Sequence, residues 1–315
     1  MSAPLRTRSG PACARGAAIV LAMLLAALAA TIAVTLFTEQ QRWSHAVLHR
    51  RDQVQAQAMV FAAVQWSRQI LAEDARVTNV DHLGEPWAIN LPPIPLDNGE
   101  IRGAISDAQG RLDVNALAGT GAPADVYRER IARLLARVGG PVNALPAIAD
   151  WIDGDAVPRM NGAEDSVYLA RDVPGVAANA PVLRIAELAN VPGVSAAALS
   201  AASAHLTALP TAAPINVNTA SPEVLAAVFA GAGSDAVAQI LAARATRPFT
   251  SVLDLRTRLP QLQFGSDDVS LSIRSDYFLV TVEARQGTTI ARARALIRRN
   301  TANREPPEIV WQVIE

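Results

Sequence analysis

AAIVLAMLLAALAATIAVTLF, residues 17–37, is the stretch that decides the fold of this chain. It contains 21 consecutive residues without a charge. As a helix it would be about 31 Å long, which is enough to cross the hydrocarbon core of a bilayer. The leader before it, residues 1–16, contains three arginines and no acidic residue. This bias predicts a membrane-spanning helix whose N-terminal end stays in the cytoplasm.

The junction Gly16-Ala17 resembles the cleavage site of a type IV prepilin signal, which is cut on the cytoplasmic side of the apolar segment. Cleavage after Gly16 would leave a mature chain that begins at Ala17 and keeps its anchor. An ordinary secretory signal is the alternative, because Ala27-Leu28-Ala29 fits an A-x-A cleavage site. The apolar run is long for such a signal, so we favour the prepilin interpretation.

Composition excludes some functions. The chain of 315 residues has 28 basic and 29 acidic side chains, and every basic one is arginine. This balance argues against a general nucleic-acid binder, which needs an excess of positive charge. Cleavage after Gly16 would also remove Cys13, the only cysteine, so the mature chain would form no disulfide.

Two regions of regular structure are predicted around a third that differs in character. No proline or glycine interrupts residues 38–76, and the apolar spacing there predicts a continuing helix with one buried face. We assign that face to Trp43, Val47, Val54, Ala58, Phe61 and Ile70. A strand hairpin is predicted at residues 100–114, and three strands are predicted at 277–283, 289–297 and 309–314. The intervening residues 118–265 are rich in Ala and Leu and predict helices, including an apolar stripe of Ile131, Leu134, Leu135 and Val138.

An acidic loop is the first candidate site. The run DWIDGDAVPRMNGAED, residues 150–165, contains five carboxylates, which are Asp150, Asp153, Asp155, Glu164 and Asp165. Packing so many anions together is repulsive unless a cation neutralises them, and an oxygen-rich site suits Ca²⁺. The register is not that of an EF-hand, because Pro158 stands where glycine is required. The alternative is a solvated acidic loop in which Asp150 caps a helix.

The element INVNTASPE, residues 215–223, resembles the opening of helix-hairpin-helix units that bind the DNA backbone. Ser221 is a good N-cap, Pro222 suits the first helical position, and Gly231 and Gly233 would supply the hairpin. Residues 215–247 nevertheless contain two arginines against two acids, a poor basis for binding a polyanion. We expect a related fold without nucleic-acid binding.

Four features occur in one order along the chain. They are the prepilin-like start, DAQGRLDVNAL (107–117), the acidic loop continuing to Leu169, and INVNTASPEVLAAV (215–228). Together they closely resemble the minor pseudopilin K family of type II secretion systems, also called general secretion pathway protein K. The resemblance implies an α+β fold in which a pilin-like long N-terminal helix packs on an antiparallel sheet. A large all-α, helix-hairpin-helix-like domain is inserted in that sheet.

The resemblance also implies a domain organisation, partners and a cofactor. The expected segments are a leader at 1–16, a transmembrane helix at 17–37, the pilin-like body at 38–117 and 266–315, and the insert at 118–265. The expected partners are minor pseudopilins I and J, the prepilin peptidase, and the inner membrane. Exported substrates and the outer-membrane secretin are further candidate partners, and no nucleic acid is expected. Structural Ca²⁺ at the acidic loop and methylation of Ala17 are also implied.

Position 21 bears on where such a subunit stands in a filament. Most pilins and pseudopilins have Glu at the fifth mature residue, where it is thought to neutralise the buried amine of a neighbouring subunit; here that residue is Leu21. A buried unpaired charge is costly, so a chain with Leu21 cannot serve as that partner. The K family lacks this Glu and is believed to cap the pseudopilus tip and to help start assembly, so we expect no catalytic activity. A DNA-binding protein of an uptake system is the alternative. A third possibility, a calcium-dependent hydrolase, predicts a nucleophile constellation that we do not find in the sequence.

Overall fold

A single helix dominates the N-terminal part of the molecule. The computed structural model describes residues 12–90, 92–229, 234–262, 270–300 and 305–315. Helix α1 (Ala12–Val77) runs without a break over 66 residues. The prediction that the apolar segment continues as a helix to about residue 76 is therefore confirmed. Residues 1–11 of the predicted leader lie outside the described residues.

The second half of α1 packs on a five-stranded antiparallel sheet. The strands are β1 (Ile94–Leu96), β2 (Gly99–Asp107), β7 (Tyr277–Gln286), β8 (Thr289–Arg298) and β9 (Glu308–Ile314). Their spatial order is β1-β2-β7-β8-β9, and each neighbouring pair is antiparallel. The predicted C-terminal strands are therefore confirmed. Gly287 closes the β7–β8 turn with a φ of 57°, a conformation that favours glycine.

The predicted hairpin over residues 100–114 is wrong. Its first strand exists as β2, but β2 pairs along its whole length with β7, with Asp107 opposite Phe278. The second half becomes β3 (Leu112–Asp113), which pairs in parallel with β4 (Leu206–Thr207). The turn at residues 107–110 therefore leads the chain out of the sheet. The strand that pairs with the whole of β2 is β7, which begins about 170 residues later in the sequence.

The described residues between β2 and β7 form the insert. Its helices are α2 (Ala122–Val138), α3 (Leu145–Ile152), α4 (Asp165–Leu169), α5 (Ala196–Ser203), α6 (Pro222–Val228), α7 (Ser234–Thr246) and α8 (Val252–Arg258). Two short parallel pairs join its start and its end to its middle, β3 with β4 and β5 (Ile215–Asn216) with β6 (Leu271–Ser272). The predicted stripe on α2 lies in the core of the insert, where Leu134 is fully buried. The predicted hairpin glycines, Gly231 and Gly233, and the predicted boundary at residue 265 lie outside the described residues.

The buried face of α1 differs from the predicted one. The side chains of α1 that pack on the sheet are Ala56, Val60, Val64 and Leu71, all fully buried. Of the predicted face, Trp43, Val47, Val54, Ala58 and Phe61 are exposed, and Ile70 is half-buried. Both faces of the helix are apolar, and the sheet packs on the one with smaller side chains, which allow a closer approach. The bulkier face is left uncovered.

Candidate functional site

Asp150 organises the acidic loop from inside the protein. It lies in the last turn of α3 and is completely buried. Its Oδ2 accepts hydrogen bonds from the backbone N–H of Ala163 at 2.8 Å and of Arg159 at 3.1 Å. Its Oδ1 accepts one from Arg159 Nη1 at 2.7 Å. A Cβ at Gly162 would lie 1.8 Å from Asp150 Oδ2, so this close approach requires glycine. Asp150 therefore has the role of folding the loop around its own carboxylate.

Three other carboxylates converge on one point. Asp153 follows the last residue of α3, Asp155 lies two residues later, and Glu164 immediately precedes α4. One oxygen from each of these side chains lies within 4.8 Å of the other two. Glu164 is 4% exposed, and neither of its oxygens has a hydrogen-bond partner; Asp153 Oδ1 is likewise buried without one. Buried polar atoms are almost always hydrogen-bonded or bound to an ion, so a shared cation is one partner that would satisfy these three oxygens.

The electrostatics of the cluster support this interpretation. The pKa of Glu164 is raised by burial first, and then by the negative charges of Asp150, Asp153, Asp155 and Asp165. The positive charge that faces them is Arg159, which contacts Asp150 and Asp153 only. Carboxylate oxygens in this number suit a hard cation such as Ca²⁺. The residues present therefore fit a structural calcium site, in which Asp153, Asp155 and Glu164 would hold the ion.

Asp165 is not part of this convergence. Its Oδ1 accepts the backbone N–H of Ala177 at 2.8 Å, which fixes the next loop against the first turn of α4. Of the five predicted residues, Asp153, Asp155 and Glu164 lie close together. Asp150 and Asp165 instead accept hydrogen bonds from backbone N–H groups. Spacing alone could not separate the two groups, because both roles require a carboxylate in a turn.

A second group of buried acids was missed by sequence reasoning. Asp74 at the end of α1, Asp81 and Glu85 also bring carboxylate oxygens within 4.8 Å of one another. Here a cation is already present, because Arg299 Nη1 donates to Asp74 Oδ2 at 2.6 Å and Nη2 donates to Asp81. Burial raises the pKa of Glu85 to about 7. No local motif marks this group, since its three acids lie in residues 74–85 and their partner Arg299 lies near the other end of the sequence.

The same buried network joins the insert to the pilin-like body. Asp107, the last residue of β2, accepts hydrogen bonds through Oδ2 from Thr219 Oγ1 at 2.6 Å and Asn216 Nδ2 at 3.0 Å. It also accepts one from Ser275 Oγ, at 2.6 Å, just before β7. Burial raises the pKa of Asp107 to about 6. The INVNTASPE element, which resembles a DNA-binding unit, thus serves to fasten the insert to the sheet.

His205 contacts two polar side chains at the start of α6. Its Nδ1 lies 3.0 Å from Ser221 Oγ and 3.8 Å from Glu223 Oε2. No spacing in the sequence predicts this contact, but the serine and the acid face the same ring nitrogen, so no relay through the imidazole is formed. Ser221 caps α6 as predicted, because its Oγ accepts the N–H of Val224 at 3.3 Å.

The first part of α1 contains the apolar segment, the predicted cleavage site and Leu21. Within the described residues one helix, Ala17–Val77, is long and apolar enough to cross a membrane, with a mean hydropathy of 2.7 in its best window. The bond between Gly16 and Ala17 lies in the helical backbone near the start of α1. Leu21 is 60% exposed on its surface, as are the neighbouring apolar side chains.

Comparison with known proteins gives consistent matches over most of the chain. Two models described as type II secretion system protein K match residues 110–211 and 215–274. Type II secretion system protein K of Pseudomonas aeruginosa is 34% identical over 86% of this chain and 85% of its own length. The protein of the same name from Pectobacterium carotovorum subsp. carotovorum is 31% identical over 90% of this chain and 92% of its own length.

A solved structure agrees with these matches. A chain in the crystal structure of the GspK–GspI–GspJ complex from the enterotoxigenic Escherichia coli type 2 secretion system superposes with a TM-score of 0.74. It is 26% identical, and the match covers 85% of this chain and 98% of that chain. The α+β fold with its inserted helical domain is thus the one expected from the sequence. The chain belongs to the type II secretion system protein K family, a family of minor pseudopilins.

Proposed function

We propose that this chain is anchored in the inner membrane by the first part of α1, with its N-terminus in the cytoplasm and its body in the periplasm. There it joins minor pseudopilins I and J at the tip of the pseudopilus. It helps to start assembly of the filament that drives protein export across the outer membrane. The assembly role, rather than catalysis, is supported by the family to which the chain belongs.

The uncovered face of α1 supports partnership with other pseudopilins. Beyond the membrane segment this face presents Trp43, Val47, Val54 and Phe61, of which Trp43 is 69% and Phe61 50% exposed. Val47, Val54 and Phe61 are spaced by seven residues, so they form one line along the helix. Large apolar patches on a protein surface mark interaction sites. A long helix of a neighbouring subunit is the partner that such a line fits.

The observation that carries the tip placement is Leu21. A neutral residue at this position offers no carboxylate to the amine of another subunit, so a subunit of this kind is suited to the end of a filament. The insert, which branches from the sheet between β2 and β7, adds bulk that a subunit inside a filament would have to accommodate.

Immunogold labelling of the insert in sheared pseudopili tests this placement. We expect label at one end of each filament and fewer filaments when the protein is depleted. Label repeated along the filament would contradict tip placement. The variant Leu21→Glu separates the two causes, since internal label in this variant alone would assign tip restriction to position 21 rather than to the insert.

We also propose that the acidic loop binds structural Ca²⁺ through Asp153, Asp155 and Glu164. The proposal is supported by the convergence of their oxygens and by the buried, unpaired oxygens of Glu164. When bound, the ion would neutralise the cluster, while Asp150 and Asp165 would keep the loop folded around it through their backbone hydrogen bonds.

Calorimetric titration of the full chain in detergent with CaCl₂ tests the site. We expect binding by the natural protein, and weakening by at least about tenfold in Glu164→Gln, because that change removes a ligand charge. Glu129→Gln is the matched control, since Glu129 is an exposed acid on α2 of the same insert. Equal affinities in the natural protein and Glu164→Gln would contradict the assignment.

A further inference from the structure

We propose that Arg159 is an internal counter-cation of the acidic loop that competes with the bound metal ion. The arginine occupies part of the negative site in the metal-free state and thereby weakens the affinity of the loop for Ca²⁺. This inference rests on the proposed calcium site. Arg159 is not one of the carboxylate residues that would bind the ion.

The contacts of Arg159 place its charge inside the acidic loop. Its Nη1 donates to Asp150 Oδ1 at 2.7 Å and also to Asp153 Oδ2. Its backbone N–H donates to Asp150 Oδ2 at 3.1 Å. One guanidinium nitrogen thus bridges the organising residue Asp150 and the converging residue Asp153. Hydrogen bonding to both acids, together with their negative charge, raises the pKa of Arg159 despite partial burial.

Arg159 satisfies only part of the cluster. The second oxygen of Asp153 and both oxygens of Glu164 remain buried without a partner. Asp155 Oδ1 accepts only the N–H of Val157, at 2.8 Å, on the exposed side of the loop. The loop therefore has one internal positive charge for several carboxylates. Arg159 alone therefore leaves the negative charge of the loop far from neutralised.

A divalent ion changes the position of Arg159. Once an ion lies among Asp153, Asp155 and Glu164, the Arg159 guanidinium that contacts Asp153 is next to a second positive charge. Neighbouring charges of the same sign repel each other even when water screens them. The side chain of Arg159 is 29% exposed, so it has a direct way to solvent. Metal entry therefore releases Arg159 from Asp153, while the backbone N–H of Arg159 keeps its bond to Asp150.

The opposite role would give the opposite sign. If Arg159 served to hold Asp153 in position for the metal, its removal would weaken binding. If it competes, its removal strengthens binding and destabilises the metal-free form, because Asp150 and Asp153 then lose the cation that contacts them. The two roles are separated by one affinity measurement.

Calorimetric CaCl₂ titration of the full chain in detergent makes this measurement. We expect Arg159→Gln to bind Ca²⁺ roughly tenfold tighter than the natural protein, because the ion then no longer has to displace the charge-assisted hydrogen bond between Arg159 and Asp153. Arg171→Gln is the matched control, because Arg171 lies near the loop but contacts the ring of Tyr168 and the carbonyl of Asn190. Unchanged or weaker binding by Arg159→Gln would overturn the proposal, whereas no binding by the natural protein would overturn the calcium site itself.

A second measurement needs no variant and so does not depend on whether Arg159→Gln folds. Phenylglyoxal modifies accessible arginines, and peptide mass spectrometry reports each site. We expect modification of Arg159 to rise on addition of CaCl₂ while modification of Arg171 stays constant. A rate at Arg159 that falls or does not change with Ca²⁺ would show that the arginine stays in place, against the proposal.

Discussion

Replacing Arg299 by Met tests the buried network that joins α1, the sheet and the insert. The Arg299 side chain is 3% exposed and bridges Asp74, at 2.6 Å, and Asp81. It also donates to the carbonyl of Ser275 at 3.0 Å. Methionine fills a similar volume without charge, so the change mainly leaves two buried carboxylates without their ion-pair partner.

The expected loss follows from the cost of an uncompensated buried charge. Breaking a buried ion pair by removing one partner costs about 3–5 kcal/mol. The pKa of Asp74 is already above its usual value because burial outweighs the lowering by Arg299, so without Arg299 this pKa rises further. An acid whose pKa is raised in the folded state stabilises the fold at low pH and loses that contribution as pH rises through the folded value. The loss in Arg299→Met is therefore largest in alkali and shrinks in acid.

Urea unfolding of the full chain in detergent at pH 8 and pH 5, followed by circular dichroism, measures this difference. We expect the free energy of unfolding to fall by about 3–5 kcal/mol at pH 8 and by roughly half of that at pH 5. Arg298→Met, at an exposed position of β8, is the control and should stay within about 0.5 kcal/mol. An equal loss at both pH values would refute the electrostatic explanation and assign the effect to packing of Arg299 on the ring of Phe278.

Three further predictions follow from other parts of the structure. Burial raises the pKa of Asp107 from 3.8 to about 6, so the stabilising contribution of this residue at low pH should be lost as the pH rises from about 4 to about 6. Asp107→Asn should therefore flatten the measured dependence of unfolding free energy on pH in that range. Leu134→Ala, which creates a cavity in the core of the insert, should cost about 2–5 kcal/mol in urea unfolding, and a loss below about 1 kcal/mol would contradict the packing described. Phe61→Ala, on the uncovered face of α1, should change that free energy little but reduce co-purification with pseudopilins I and J, whereas Ala58→Ser on the same exposed side should leave both unchanged.

The features that the sequence predicted correctly are those set by neighbouring residues. The continuation of α1, the C-terminal strands and the Ser221 cap each follow from the local pattern of residues. The pairing of β2 with β7 does not, because a long insert separates the two strands. A turn such as residues 107–110 indicates a change of direction but not the next partner.

The sequence also could not show which of two similar faces or side chains takes which role. α1 has two apolar faces, and only packing on the sheet shows that Val60 and Val64 are buried while Val54 and Phe61 are not. The acidic loop likewise contains carboxylates of two kinds. Asp150 and Asp153 are three residues apart, but their positions at the end of α3 direct one to backbone N–H groups and the other to the cluster.

The central claim is that the chain is a pseudopilin matured at Gly16-Ala17 and held in the membrane by the helix that follows. The mass and N-terminal sequence of the membrane-bound form, with and without the cognate prepilin peptidase, test it most directly. We expect a mature N-terminus at Ala17 that appears only when the peptidase is present. A mature N-terminus near Ala30, independent of that peptidase, would mean an ordinary secreted protein and would rule out a pseudopilin matured at Gly16-Ala17.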